Sequence, residues 1–287
     1  MRVVAPGKIV LIGEYAVLDG GPAVVAAVDR GVACDMRPGP SFQITTPDGD
    51  DRFVRPALVA AGAPAGEYRF TAWNPTATTT KAGLGGSAAA TVAAVVAAHA
   101  AAGTTATLPE VEALARRVHH RVQGSGSGID ITASVWGGIR RVQGDRSESV
   151  DSALPVLVYS GTSARTGPRV VQYRALHDRT AFVAASQSAV DRFASDPLRA
   201  FTEAREALDQ MTRAAGIAYW TPGLRTVVEL AAQHGGQAKP SGAGGGDCAV
   251  ALFPDGTQRS SFVTACRNAG LVVIPIHVAQ GAHALKE

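Results

Sequence analysis

The chain has 287 residues, of which 46% are hydrophobic and 18% charged, and its formal net charge is +3. An apolar chain with so little charge can bury enough surface to fold, which excludes a disordered protein. The scattered basic residues argue against nucleic-acid binding, which needs a clustered basic surface. Three cysteines without a CxxC pattern favour reduced thiols in a cytoplasmic protein. The most apolar helical run, residues 88–102, is too short to span a bilayer, so we expect no membrane partner.

The first half of the chain is predicted to contain strands followed by two helices. The predicted strands are residues 22–28, 31–36, 41–46, 51–54 and 68–73. Strands 41–46 and 51–54 are expected to form a hairpin, because Pro47-Asp48-Gly49 is a turn signal. The helices are predicted over residues 87–102 and from Thr107, a good N-cap, to Gln123.

The second half is predicted to be mostly helical, with four short strands. The strands are residues 139–142, 156–159, 248–253 and 271–276, and the helices are two or three within 170–215, then 222–233 and 258–268. This order predicts an α+β fold. The polar stretch around residues 143–153 places a domain boundary between residues 1–148 and residues 149–287. The sequence predicts no particular oligomeric state.

Half of the 32 glycines, 16, fall in four short stretches, residues 5–21, 83–86, 124–138 and 242–246. Glycine is favoured where the backbone adopts positive φ or approaches a ligand closely. The stretch 83–86 leads directly into a predicted helix, whose free N–H groups and dipole can hold a phosphate. It matches neither the P-loop nor the dinucleotide-binding pattern, and a tight turn before a core helix is an alternative explanation.

Each of the other three stretches also has an ordinary structural explanation. Lys8 can extend along a strand toward solvent, Asp130 can be a first-turn helix charge, and residues 239–248 can be a loop before a strand. Four such explanations at once are less economical than a single shared site. We therefore predict that the glycine stretches meet at one shared site.

Three motifs carry a family resemblance: PGKxxLxGEYAVL near the start, KAGLGGSAA from Lys81, and KPSGAGGGDC near the C-terminus. In this order they resemble the signature motifs of the GHMP small-molecule kinases. GEYAVL, the lysine before the glycine loop, GSGxD around Asp130 and PSGAGGGDC are most similar to the phosphomevalonate kinases. The resemblance covers essentially the whole chain. It implies an N-terminal domain like the second domain of ribosomal protein S5, a C-terminal ferredoxin-like domain, and an active site between them.

The resemblance also implies roles for individual residues, with ATP and Mg²⁺ as cofactors. The triphosphate cradle would consist of Gly83, Leu84, Gly85, Gly86, Ser87 and Ala88, with the Ser87 hydroxyl close to Mg²⁺. Lys8 and Asp130 would be catalytic, on opposite sides of the transferring phosphoryl group. Residues implied to bind the acceptor are Glu14, Tyr15, Lys81, Ser127, Arg165, Ser241, Gly242 and Ala243.

Two positions depart from the family pattern. The glycine loop of the family usually has Ser-Ser where this chain has Gly86-Ser87. Mevalonate kinases place a metal-binding glutamate eleven residues before the aspartate, whereas this chain has His119 there. Mevalonate kinase activity is therefore disfavoured, and ATP oxygens and water are expected to supply more of the Mg²⁺ coordination. The PGK lysine also disfavours a diphosphomevalonate decarboxylase.

The expected reaction is phosphorylation of 5-phosphomevalonate by ATP. Phosphoryl transfer depends on positioning and electrostatic stabilisation, and a phosphate acceptor needs little help from a base. Asp130 is accordingly expected to orient Lys8 or the acceptor. Three alternatives stay open: a related kinase acting on mevalonate, homoserine or a sugar, a catalytically silent binding protein, and, more distantly, an oxidoreductase.

Overall fold

The computed structural model describes residues 1–75 and 82–285 and contains a seven-stranded and a four-stranded sheet. The strands of the larger sheet are β1 (Arg2–Ile12), β2 (Ala23–Pro38), β3 (Phe42–Thr45), β4 (Gly66–Trp73), β5 (Ile139–Gln143), β6 (Arg146–Ser149) and β11 (His283–Leu285). Its order is β11-β1-β2-β4-β3, and β5 pairs with both β2 and β6. Four helices accompany this sheet: α1 (Val54–Ala60), α2 (Gly86–Ala101), α3 (Leu108–Gln123) and α4 (Ile129–Trp136).

The smaller sheet has the order β10-β7-β9-β8 and is antiparallel throughout. Its strands are β7 (Val156–Tyr159), β8 (Gln237–Pro240), β9 (Cys248–Leu252) and β10 (Val272–Ile274). The helices of this half are α5 (Thr166–Arg174), α6 (Thr180–Arg192), α7 (Pro197–Ala214), α8 (Pro222–Gln233) and α9 (Gly256–Asn268). No helix in the described ranges is long and apolar enough to cross a membrane.

The two sheets share a hydrophobic core. Alternating side chains on β7 and β9 point to opposite faces, as strand geometry requires. One face, with Leu157 and Val250, packs with residues of β1, β2, α6 and α7. The other face, with Val158 and Ala249, packs against α8 and α9. The first of these clusters packs β1, which carries Lys8, against β9, which follows the third-motif loop.

Helix α2 lies in the centre of the first half. Its apolar side chains are mostly alanine and valine, and nine of its residues are buried. A helix that is apolar on nearly all sides is a core helix. Its small side chains let it approach β1 and β2 closely, which fixes the position of its N-terminus near Lys8.

The structure corrects the predicted hairpin. Residues 51–54 do not form a strand, because Val54, Ala57 and Leu58 bury one side at helical spacing and belong to α1. The strand β3 instead pairs in parallel with β4. The two strands predicted over 22–28 and 31–36 are one long strand, β2, which continues past an irregularity in its pairing with β1.

The C-terminal strand was not predicted. β11 pairs antiparallel with β1, so residues 283–285 belong to the first sheet although they follow the second in the chain. β6 ends at Ser149, next to the predicted boundary. The division into residues 1–148 and 149–287 stays a prediction, and β11, which returns to the first sheet, lies in the second of these ranges.

Candidate active site

A cavity of about 970 Å³ is lined by residues from all four glycine stretches. They include Lys8 from β1, residues 82–87, residues 125–131 and, from the third motif, Gly242, Ala243 and Asp247. The motifs lie far apart in the chain but meet here because β1 runs between α2 and the third-motif loop. The structure therefore brings together both predicted catalytic residues and the predicted phosphate loop.

The predicted phosphate loop ends at the N-terminus of α2. Gly83 and Gly85 have left-handed φ values of 71° and 75°, which side chains disfavour, and α2 begins at Gly86. The first N–H groups of a helix have no partner within the helix, so the start of α2 can hold an anion. Ala88 is 1% exposed, so its side chain belongs to the core, and only its backbone amide is placed to serve the cradle.

Lys8 is held against this loop by its own backbone. Its N–H donates to the carbonyl oxygen of Leu84 over 2.8 Å. This approach requires glycine at position 7, where a β-carbon would lie 2.5 Å from the same oxygen. A β-carbon at Gly85 would lie 3.1 Å from Cγ of Lys8 and 3.8 Å from Cβ of Asp130. Lys8 and Asp130 therefore flank the glycine that caps α2.

Ser87 and His119 meet at the side of the cavity. The Ser87 hydroxyl lies 3.1 Å from Nε2 of His119, and the imidazole ring stacks on Phe53 with centroids 5.1 Å apart. Burial lowers the pKa of His119, although the charge of Asp130 opposes that shift. The imidazole thus occupies the space beside the hydroxyl expected to approach the metal.

The loop that carries Ser127 is braced by a polar network. The Arg116 guanidinium donates to the carbonyl oxygen of Ser127 over 3.3 Å and to the Thr132 hydroxyl over 2.5 Å. Its Nε also pairs with Glu112 over 3.0 Å. Burial raises the pKa of Glu112, but hydrogen bonds from Thr132, Trp136 and Arg116 outweigh it and hold that pKa below its ordinary value. Arg116, which itself lines the cavity, was not predicted.

The third motif is anchored to the first by a buried ion pair. The Lys239 ammonium is fully buried and donates to the carboxylate of Glu14 and to the carbonyl oxygens of Leu11 and Pro240. The N–H of Gly242 donates to the same Glu14 oxygen over 3.3 Å. Burial lowers the pKa of Lys239, against the opposing charge of Glu14. Glu14 also lines the cavity, so its expected contact with the acceptor stays a prediction, although one of its oxygens binds Lys239.

Tyr15 and Ser241 also have structural partners. The Tyr15 hydroxyl donates to the carbonyl oxygen of Ala243 over 2.7 Å, and its side chain is buried. The Ser241 hydroxyl donates to the carbonyl oxygen of Val10 and accepts from its N–H. Both side chains join the first motif to the third. Tyr15 also lines the cavity, and the expected acceptor contacts of both residues stay predictions.

The remaining predicted residues differ in their placement. Ser127, Gly242 and Ala243 line the cavity. Arg165, just before α5, is exposed and is not part of the described cavity wall. Lys81 lies outside the described residues.

Asp247 lines the cavity and lies inside the third motif, but no role was predicted for it. A β-carbon at Gly83 would lie 2.6 Å from its Oδ2 atom. Burial raises its pKa, while a hydrogen bond from the Ala164 N–H and the charges of Lys8 and Arg169 oppose that shift. The signal that could have identified Asp247 is its position: an acidic residue directly before the cysteine that begins a strand.

The described residues contain no cluster of three or more histidine, cysteine or acidic side chains suited to a metal. A magnesium ion carried by nucleotide phosphates needs fewer protein ligands, since Mg²⁺ keeps water and binds one or two carboxylates. The Ser87 hydroxyl and the Asp130 carboxylate, which line the same cavity, fit that description.

Comparisons with known proteins agree with this geometry. The family model "GHMP kinases N terminal domain" matches residues 75–138, and "GHMP kinases C terminal" matches residues 189–270. The phosphomevalonate kinase of Streptomyces sp. strain CL190 is 28% identical, over 95% of each chain. The mevalonate kinase of Archaeoglobus fulgidus is 30% identical, over 90% of this chain and 94% of the relative.

The fold matches a solved kinase structure. Streptococcus pneumoniae phosphomevalonate kinase, in complex with phosphomevalonate and AMPPNP, superposes with a TM-score of 0.85 at 18% identity, over 97% of this chain and 100% of the other. The predicted α+β fold of the GHMP kinase type is confirmed. The chain belongs to the GHMP kinase family.

Proposed function

We propose that this GHMP kinase transfers the γ-phosphoryl group of ATP to the phosphate of 5-phosphomevalonate. The observation that carries the choice of acceptor is His119, which lies 3.1 Å from the Ser87 hydroxyl, at the position where mevalonate kinases have a metal-binding glutamate. The named relatives in the mevalonate pathway support the substrate class, and both phosphomevalonate and mevalonate kinases are among them.

The nucleotide phosphates are proposed to bind residues 83–88 at the start of α2. The free N–H groups and the helix dipole stabilise negative charge there. Lys8, held beside the loop through its backbone, would neutralise charge on the transferring group. Mg²⁺, held by the phosphates and Ser87, would neutralise charge on the nucleotide's oxygens.

The chemistry of the acceptor limits what Asp130 must do. A phosphate monoester has a second pKa near 6 and is mostly a dianion at neutral pH, so the attacking oxygen carries no proton. An alcohol acceptor would need a base to remove its proton. We propose that Asp130, beside Gly85 and opposite Lys8, orients the reacting groups. Arg116 on the far wall supports binding of a second polyanion.

Mevalonate is the second candidate acceptor, because several relatives at about 30% identity are mevalonate kinases. With mevalonate, Asp130 would have to act as the base. A catalytically silent binding protein is the remaining alternative. The convergence of Lys8, Ser87 and Asp130 on one cavity argues against it, because binding alone does not require all three.

A panel of acceptors tests the proposal. Purified enzyme with ATP and Mg²⁺ is assayed on phosphomevalonate, mevalonate, homoserine and galactose, with Lys8→Met as the matched low-activity control. We expect kcat/KM for phosphomevalonate to exceed that for every other acceptor by at least about 100-fold, since a site with fixed polar partners rejects acceptors that lack the matching group. A higher kcat/KM for another acceptor would overturn the assignment.

A further inference from the structure

Asp247 is fixed rigidly where the third-motif loop enters β9. Its backbone N–H donates to the carbonyl oxygen of Thr162 over 2.6 Å, and its carbonyl oxygen accepts from the Ser160 N–H over 2.8 Å. Its φ is 54°, in the left-handed region that aspartate and asparagine tolerate better than most residues. The side chain therefore leaves the backbone in one set direction.

That direction leads to the phosphate loop. One oxygen, Oδ1, accepts from the N–H of Ala164 over 3.0 Å. The other, Oδ2, faces Gly83 so closely that a β-carbon there would lie 2.6 Å away. Glycine at position 83 thus makes room for this carboxylate, which comes from the opposite half of the molecule.

Lys8 lies on the other side of the same turn. Its N–H holds the carbonyl oxygen of Leu84, and its Cγ and Cε would lie 3.1 Å and 3.4 Å from a β-carbon at Gly85. Gly83 faces Asp247 and Gly85 faces Lys8, so the turn brings the two charged side chains to one end of the cavity. The charge of Lys8 acts on the Asp247 carboxyl.

A carboxylate in this position is otherwise unfavourable. The cavity is proposed to hold two polyanions, and a further negative charge repels both unless a cation compensates it. Two cations act on this carboxyl, Arg169 and Lys8, and Lys8 is the one beside the phosphate loop. The backbone of Asp247 has two hydrogen bonds and its carboxylate has one, so the carboxylate can restrict an ammonium on a flexible four-carbon chain more tightly than solvent does.

We propose that Asp247 is a positioning residue that holds the Lys8 ammonium at the phosphate loop. In this way Asp247 of the third motif would position Lys8, the catalytic lysine of the first motif. This inference rests on the proposed role of Lys8 in phosphoryl transfer, and it does not depend on which acceptor the enzyme uses.

A double-mutant cycle tests the inference through activity. Asp247→Asn removes the charge, keeps the oxygen that Ala164 binds and suits the left-handed φ. We expect kcat to fall roughly 100-fold, the effect of about 1 Å of misplacement, with KM for both substrates changed less than about threefold. In a Lys8→Met background the same substitution should cause no further loss. Asp191→Asn, which removes an exposed carboxylate outside this cavity, is the control.

A spectroscopic measurement tests it without activity. The chain has only four lysines, so reductive ¹³C-methylation gives a simple spectrum in which Lys8→Arg assigns the Lys8 signal. We expect Asp247→Asn, and equally Asp247→Gly, to shift and broaden that signal, whereas Asp191→Asn leaves it unchanged.

Two results would overturn the inference. One is a Lys8 signal that is unchanged in both Asp247 variants. The other is a kcat that Asp247→Asn lowers as much in the Lys8→Met background as in the wild type. If the acceptor assignment fails instead, the wild-type enzyme ignores phosphomevalonate while the Lys8 signal still responds.

Discussion

The first and third motifs each supply one lysine and one carboxylate, and the two pairs differ in their surroundings. Lys239 from the third motif pairs with Glu14 from the first in a region sealed from solvent. Lys8 from the first motif and Asp247 from the third lie on either side of the phosphate loop and line the open cavity. Both pairs connect the same two segments of the chain.

Under the proposed roles of Lys8 and Asp247, environment rather than residue type separates the structural pair from the functional one. The Lys239 ammonium already has three oxygen partners, so it has no donor left for a ligand. Lys8 has its backbone fixed by Leu84 and its side chain beside the cavity. We therefore expect the sealed pair to control stability and the open one to control turnover.

The largest effect expected is the loss of stability on breaking the sealed pair. Lys239→Met leaves the Glu14 carboxylate buried without its cation, which costs about 3–5 kcal/mol. Urea unfolding followed by circular dichroism measures this change. Lys8→Met is the matched control, and we expect it to change the free energy of unfolding by less than about 0.5 kcal/mol. Equal destabilisation by the two substitutions would remove the distinction between the pairs.

The next largest effect is on turnover. Lys8→Met should lower kcat roughly 10²- to 10³-fold, because a preorganised positive group at the transferring phosphoryl is lost. Steady-state assays give kcat, and calorimetric titration with an ATP analogue should give a Kd within about tenfold of wild type, since the α2 amides still bind phosphate. A Lys8→Met enzyme with the kcat of the wild type would show that Lys8, like Lys239, has a structural role.

Asp130 lines the same open cavity as Lys8 and Asp247, and its role depends on the acceptor. With a dianionic acceptor, Asp130→Asn should lower kcat by less than about 100-fold, since no proton has to be removed. The assay compares kcat and KM for phosphomevalonate in the variant and the wild type. Complete loss of kcat with normal binding of both substrates, and with Lys8 still in place, would contradict the orienting role.

The smallest expected effect is a pH-dependent change in stability at Glu112, which belongs to the polar network around the Ser127 loop. Because hydrogen bonds hold the pKa of Glu112 below its ordinary value of about 4.5, its stabilising effect is complete above that pH and is lost as pH falls through the lower folded-state value. Glu112→Gln should therefore be less stable than wild type at about pH 6, with the gap narrowing toward about pH 3. Thermal unfolding across this range measures the gap, and a gap that widens on acidification would contradict the assignment.

Much of the fold could be predicted from the sequence, because periodicity and caps are local signals. The helix from Leu108 begins at the predicted Thr107 cap, and helix α8 has the predicted limits. The hairpin prediction was wrong because the turn signal at Pro47-Asp48-Gly49 outweighed the short helical pattern after it. β11 was missed because its pairing with β1 spans nearly the whole chain.

The site was predictable in its motifs but less so in its side-chain partners. The motifs identified the residues around Lys8, Ser87 and Asp130, since glycine clusters mark close approaches. They could not show that the Glu14 carboxylate is taken by Lys239, because a buried pair depends on the tertiary packing of two distant segments.

The most direct test of the proposed function is a competition followed by ³¹P NMR. The enzyme receives limiting ATP with equal amounts of phosphomevalonate and mevalonate. We predict that the transferred phosphoryl group appears as the coupled resonances of a new phosphoanhydride, while the phosphate-monoester signal of phosphomevalonate decreases by the same amount. If that monoester signal increases instead, the enzyme phosphorylates the alcohol of mevalonate, and the account of the acceptor is wrong.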